Sequence, residues 1–300
     1  MSRILVVGDI VIDCYTHVTT SRMAQEADIP VFDKTGVKER RLGGAANVAA
    51  NIKALAGDSI SVDLNGIMRA LDADLMSDND LNGWMVWGDS LEKHRYVCDD
   101  KIVCRVDNKK KFDRAYREHF EECFELSQHY DLIVISDYDK GTVTESVTKK
   151  ILDSGIPVVV DSKRKDLRIF EGAKFLNVNE HEYSLQVSNK DYTAVERLFD
   201  FVIVTLGEKG AQLHQCESSK SDDKSYMVHT ERFSTKEAKH VVDVTGCGDT
   251  HTAAFALGIV RDPQDIRGAV RYANECATLA VEKFGTTRIS RWDFSRNLQE

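Results

Sequence analysis

Four short apolar runs, Ile4–Val7, Leu132–Ile135, Val158–Val160 and Val202–Thr205, restrict this chain to few architectures. Runs of that length, rich in β-branched residues and lacking polar alternation, suit strands covered on both faces, as in a parallel sheet. Between them lie stretches with apolar residues at helical spacing: Ala45–Leu55, Ala115–Leu126, Glu145–Leu152 and Ala269–Phe284. Strands alternating with helices predict an α/β fold, a doubly wound and mainly parallel sheet flanked by helices. Ligands of such sheets sit beyond the carboxyl ends of the strands. The residues to read are therefore Gly8-Asp9, Ser136-Asp137-Tyr138, Asp161-Ser162-Lys163 and Leu206-Gly207.

Two segments break that rhythm. Residues 11–41 and 93–107 alternate polar and apolar positions, which predicts a small antiparallel sheet projecting from the main one as a lid. The polar stretches Asp72–Asp80 and Glu217–Lys224 read as surface loops. No internal repeat or linker divides the chain, so residues 1–300 are expected to form one domain. A net charge of −9 gives no general attraction to nucleic acid or anionic lipid. The seven scattered cysteines form no C-x-x-C pair, as expected of reduced thiols in the cytoplasm. The apolar start is interrupted by Asp9 and Asp13 and reads as neither a signal peptide nor a membrane span.

The sharpest chemical feature is Asp243-Val244-Thr245-Gly246-Cys247-Gly248-Asp249-Thr250, followed by small and apolar residues. A glycine turn opening a helix leaves backbone N–H groups unpaired at the positive end of the helix dipole, a site for an anion. Asp249, in the first turn, is placed to accept a proton from a hydroxyl beside that anion. An ordinary capped helix after a glycine turn is the bland alternative. In Gly43-Gly44-Ala45-Ala46-Asn47, paired glycines admit a ligand against backbone and Asn47 offers hydrogen bonds to hydroxyls, or the pair serves close helix–sheet packing. Asp9 and Asp13 are acids in an apolar segment, suited to paired hydroxyls or to a turn. Asn179-x-x-Glu182 suits a water-bridged Mg²⁺, or simply a helix start. The P-loop, the protein-kinase signatures and the dinucleotide fingerprint are absent.

Taken in order, Gly8-Asp9, Gly43-Gly44-x-x-Asn47, Asn179-x-x-Glu182 and Asp243-x-Thr245-Gly246-x-Gly248-Asp249 resemble the ribokinase-like (PfkB) sugar kinases. Thr20-Ser21-Arg22, Glu39-Arg40, Arg105-Val106-Asp107, Ser136-Asp137-Tyr138 with Lys140-Gly141, and Lys283-x-Gly285-Thr286 are similar to the D-glycero-beta-D-manno-heptose 7-phosphate kinases of ADP-heptose synthesis. The resemblance covers nearly the whole chain. It implies transfer of the γ-phosphoryl group of ATP to a sugar, with Asp249 as base and Gly246, Cys247 and Gly248 as the anion hole. Asp13, Gly43, Gly44, Asn47 and Asp137 would face the sugar, with Asp9 nearby. Arg22, Arg40, Arg41, Lys93, Arg95 and Arg105 are candidates for a phosphate already on it. Asn179 and Glu182 would organise Mg²⁺, and Lys163 would face phosphate. Thr205, Gly207 and Gly210 would line the nucleotide, with Asn274 near its adenine. Asp243, Thr245 and Gly285 would form a K⁺ loop. Family habit further implies a homodimer.

The chain departs from that pattern in places. Cys247 stands where alanine is usual, Asp161-Ser162-Lys163 replaces D-P-K, and Asn177-Val178-Asn179 replaces T-P-N. Asp58–Trp87 is divergent and lacks the second glycine expected after Gly66. No H-x-G-H motif is present, so a fused adenylyltransferase activity is not expected. A kinase for another sugar or a nucleoside, and a sugar-binding relative without catalysis, are the competing expectations.

Overall fold

The computed structural model of the protein describes residues 1–107, 111–126, 129–187, 195–218 and 226–297. β1 (Ser2–Gly8) is followed by a long hairpin, β2 (Ile10–Met23) and β3 (Pro30–Gly44), which runs straight into α1 (Ala45–Ala56). Then come β4 (Ile60–Met68), the short α2 (Ala73–Ser77), β5 (Met85–Trp87) and a second hairpin, β6 (Leu91–Cys98) and β7 (Lys101–Asp107). The βα rhythm continues with α3 (Arg114–Cys123), β8 (Leu132–Asp137), α4 (Glu145–Leu152) and β9 (Val158–Ser162). It runs on through β10 (Phe175–Asn179), α5 (Glu180–Val187) and β11 (Phe201–Thr205). The hairpin β12 (Ala211–Ser218) and β13 (Tyr226–Phe233) precedes α6 (Cys247–Arg261), α7 (Ile266–Val281) and α8 (Arg291–Asn297).

The main sheet has the order β13-β12-β11-β10-β9-β8-β1-β4-β5. It is parallel from β5 to β11 and antiparallel only at its β12–β13 edge. Alternate residues of β1 serve its two faces. Ile4 and Val6 pack with the apolar sides of α1, α6 and α7, whereas Leu5 and Val7 pack with Phe120 and Val147 of α3 and α4. All four β1 residues are fully buried, which explains why the run has no polar alternation.

The four-stranded lid has the order β3-β2-β6-β7. Each hairpin is antiparallel, as expected, but the two join through a parallel β2–β6 pairing, from Val11 opposite Leu91 to His17 opposite Val97. The physical reason is that β2 and β6 both rise from the carboxyl edge of the main sheet, one after β1 and the other after β5. The acidic Asp72–Asp80 stretch is likewise more ordered than its composition predicts. It contains α2, and the Asp72 carboxylate is buried, ion-paired with Arg40 of the lid and 3.3 Å from Arg69. Of Glu217–Lys224, residues 217–218 end β12 and the rest lies outside the described residues. No helix among the described residues is long and apolar enough to cross a membrane.

Candidate active site

Parallel register brings Gly8 beside Ser136, Asp137 beside Ser162, and Asn179 beside Thr205, so one edge of the sheet collects the residues read from the sequence. The first turns of α1 and α6 meet there. Asp249, the third residue of α6, is 5% exposed. Asn47, the third residue of α1, donates from Nδ2 to Asp249 Oδ2 at 2.8 Å. The amide of Asn47 is itself oriented by Asn51, one turn along, whose Nδ2 donates to Asn47 Oδ1 at 3.0 Å. The other carboxylate oxygen, Asp249 Oδ1, accepts from the Tyr138 hydroxyl at 2.7 Å. Burial pushes the Asp249 carboxyl up to about 6, against the lowering effect of Asn47.

The glycine turn does what its composition suggests. Gly246 has φ 80°, and a Cβ there would stand 2.9 Å from Asn47 Nδ2, so a side chain would be strained and would strike the amide that holds Asp249. Cys247 N–H reaches Val244 O at only 3.4 Å, and no backbone acceptor takes the N–H groups of Gly248 and Asp249 among the described residues. Donors left open at a helix start are of the kind that suits an anion. Burial raises the Cys247 thiol above its usual range, which keeps it neutral.

On the lid side, Asp13 is 2% exposed and ion-paired with the equally buried Arg95. A Cβ at Gly43 would come within 2.6 Å of Asp13 Oδ2, so the glycine is needed for this close approach. Gly44 caps the start of α1. Lys93 of β6 holds its ammonium 4.8 Å from the centre of the Tyr138 ring. Burial lowers its pKa, with the fields of Asp13 and Asp249 opposing. Lys163 also lies over that ring, at 5.6 Å, and pairs with Asp161 at 3.0 Å and Glu182 at 2.9 Å. Burial would discharge Lys163, but the two carboxylates outweigh it and hold the charge.

Several predicted residues take other positions than expected. Asp9 is fully buried, and its carboxylate accepts the backbone N–H groups of Tyr138 and Lys140 at 2.9 Å and of Thr142 at 3.0 Å. It organises a loop rather than offering oxygens to a ligand, even though burial and the Asp137 charge raise it to about 6. Asp137 does not stand open to a sugar. Arg164 pairs with it, and Ser162 Oγ donates to it at 2.9 Å. Arg105 is exposed on β7 and pairs with Asp107 at 2.9 Å. Arg41 is turned from the cleft to the carbonyl of Phe284 at 2.7 Å.

Asn179 and Glu182 form a reciprocal capping box at the start of α5: Asn179 N–H donates to Glu182 Oε2 at 3.0 Å, and Glu182 N–H to Asn179 Oδ1 at 2.8 Å. The helix-start reading holds here, and Glu182 Oε1 also reaches Lys163. Asp243, Thr245 and Gly285 do come together, yet as hydrogen-bond partners. Thr245 N–H at 3.0 Å and Oγ at 2.8 Å donate to Asp243 Oδ1, and Gly285 N–H donates to Oδ2 at 3.0 Å. This stitches two loops together through the Asp243 carboxylate. Thr205 ends β11, and Gly207 and Gly210 bracket the turn after it, closed by Leu206 N–H to Gly210 O at 2.8 Å. Asn274 is interior: its Nδ2 donates to Phe233 O at 3.2 Å and its Oδ1 lies 3.3 Å from His251 Nε2. Burial depresses His251 to about 4, so the imidazole is neutral.

Sequence reasoning underrated Tyr138, Asn51 and Arg164. The only available signal was that Tyr138 and Arg164 follow strand ends, and that Asn51 lies one helical turn after Asn47.

Solved structures share this architecture. A Methanocaldococcus jannaschii nucleoside kinase, an archaeal member of the ribokinase family, superposes with a TM-score of 0.73 at 20% identity, covering 100% of this chain and 99% of that one. Arabidopsis thaliana ribokinase complexed with ribose and ATP gives a TM-score of 0.68 at 18% identity, with 100% of both chains covered. Likeness at that identity establishes the ribokinase-like fold. The family comes from sequence: the profile for pfkB family carbohydrate kinases matches residues 106–293, more than half of the chain. The chain belongs to that family. It is also 30% identical over 321 residues to the bifunctional protein HldE of Ectopseudomonas mendocina (strain ymp), spanning 99% of this chain but 63% of that protein.

Proposed function

We propose that this chain is an ATP-dependent sugar kinase that phosphorylates the anomeric O1 of D-glycero-beta-D-manno-heptose 7-phosphate, giving the 1,7-bisphosphate. The observation that carries this reading is Asp249, buried at the glycine turn and held by Asn47 and Tyr138 under a lid. Asp249 accepts the proton of the attacking hydroxyl, whose oxygen attacks the γ-phosphorus of ATP in line as the bond to the β,γ-bridging oxygen breaks and ADP leaves. The N–H groups at the start of α6 receive the charge growing on the transferred phosphoryl group. Positioning and electrostatics supply most of the rate in such a transfer. Asp13, Gly43 and Asn47 line the acceptor side, and the nucleotide lies toward Thr205, Gly207 and Gly210.

Mg²⁺ fits the oxygen chemistry near Lys163, where Asp161 and Glu182 converge. Because Glu182 is also committed to its helix cap, the ion would be held through water. When bound, it would neutralise charge on the ATP phosphates.

A phosphorylated acceptor is favoured over a nucleoside by Lys93, a half-buried ammonium directed into the cleft from the lid. Its relatives named HldE support the heptose reading. The test is ADP release with heptose 7-phosphate, ribose, fructose 6-phosphate and adenosine. A kcat/KM at least tenfold higher for the heptose is expected, and preference for any other acceptor would overturn the substrate. We also place the protein in the cytoplasm, in keeping with seven free cysteines, and as a homodimer through the lid, where Val37 and Val106 are each 54% exposed. Light scattering should give twice the chain mass of 33.8 kDa.

A further inference from the structure

We propose that Tyr138 is a positioning residue for the base: its phenol, fixed by the loop that Asp9 clamps, aims the Asp249 carboxylate and stabilises its anionic form. The proposal rests on Asp249 being the base, and deepens that reading by adding a second donor to it.

The geometry is specific. The Tyr138 hydroxyl donates to Asp249 Oδ1 at 2.7 Å while Asn47 donates to Oδ2 at 2.8 Å, so the carboxylate plane is held at both ends. Each oxygen retains a second lone pair for the acceptor's hydroxyl. Tyr138 has little freedom to leave. Its N–H and that of Lys140 are bound by Asp9 Oδ2, Thr142 N–H by Asp9 Oδ1, and Asp139 N–H by Asp137 Oδ1 at 3.0 Å. Asp139 adopts φ 56°, a left-handed conformation that the surrounding bonds must enforce. The ammonium groups of Lys93 and Lys163 lie 4.8 and 5.6 Å from the ring centre, favourable contacts for a π face.

Other charges around Asp249 act on the same equilibrium. Asp161 of β9 opposes ionisation of Asp249, and Lys163 favours it. Lys93, from the lid, is coupled to Asp249 with the sign of Lys163, while Asp13 acts on the Tyr138 hydroxyl. Against that background the phenol supplies a short, directional donor. Burial and the Asp249 charge hold the Tyr138 hydroxyl in its protonated form, so it donates throughout the working pH range.

The test is Tyr138→Phe, which keeps the ring and deletes the donor. Aspartate labelled with ¹³C at the side-chain carboxyl gives a direct titration of Asp249, assigned as the resonance missing from Asp249→Asn. This readout needs no acceptor. Loss of a hydrogen bond to the carboxylate should tighten proton binding about tenfold, moving the titration up by roughly one pH unit. With an acceptor present, the acid limb of kcat/KM should move by the same amount. Turnover then falls about fivefold near pH 6 and recovers toward wild type at about pH 8.5. A merely structural loss would lower activity equally at both values. An unmoved Asp249 titration overturns the proposal. So does faster turnover at every pH, which would mark the phenol as a plug that the acceptor must displace. Should Asp249→Asn retain transfer, the functional reading fails, and the carboxyl titration still reports separately whether the two side chains are coupled.

Discussion

Replacing Asp249 with asparagine should lower turnover by about 10²–10⁴-fold while sugar and nucleotide still bind. The substitution suits the site. Asparagine can accept from Asn47 through its oxygen and donate to the Tyr138 oxygen through its nitrogen, so the local shape survives and only the basic lone pair is lost. Isothermal titration with acceptor and a non-hydrolysable ATP analogue, alongside single-turnover rates, separates binding from chemistry; near-normal turnover would refute the role. The same variant should also be more stable at neutral pH. Asp249 is raised from 3.8 to about 6 in the folded chain, so the stability tied to its protonated form is complete below pH 3.8 and disappears as pH rises through 6. Removing the ionisable group relieves a burden on the order of 3 kcal/mol above that window and nothing below it. Thermal unfolding at about pH 7.5 and about pH 3 should therefore show a gain at the first and none at the second.

The second large effect is expected at Asp13. Asp13→Ala leaves the Arg95 guanidinium buried without its partner, and a buried charge stripped of its counterion costs about 3–5 kcal/mol. Adding Arg95→Met removes the orphaned charge and should restore most of the stability in urea titrations. Acceptor binding should not return with it, because the carboxylate that would take the sugar's hydroxyl protons is still missing. If the double variant regains a wild-type KM for the acceptor, Asp13 serves only its ion pair.

Much of this molecule could be read before its coordinates were known, for reasons that lie in particular residues. Strands covered on both faces must be apolar at every position, so β1, β8, β9 and β11 announced themselves. The Gly246–Asp249 turn was legible because few residues other than glycine tolerate φ 80° beside an approaching amide. The lid was harder. Alternation identifies a half-exposed strand but not the direction of its neighbour, so the parallel β2–β6 pairing had no local signal. Contacts made across long sequence separations were silent too. Tyr138 and Asp249 lie 111 positions apart, and nothing near either residue records their hydrogen bond. Asp137 illustrates the converse: an acid at a strand's end has the pattern of a ligand, but the counterion that occupies it, Arg164, is revealed only by folding.

Asp9 carries a mechanical consequence. It sits between β1 and β2, where the chain passes from the main sheet to the lid. Its N–H donates to Ser136 O at 3.0 Å, its carbonyl accepts from Ala45 N–H at 3.1 Å, and its carboxylate grips three more amides. The root of the lid is thus anchored on three sides and cannot swivel there. Any opening must come from flexing of the strands above this anchorage, as in a cantilever. Displacement would be least at Asp13 and greatest at the far tip near residues 23–30, so a substrate can enter while the groups next to the base stay almost still.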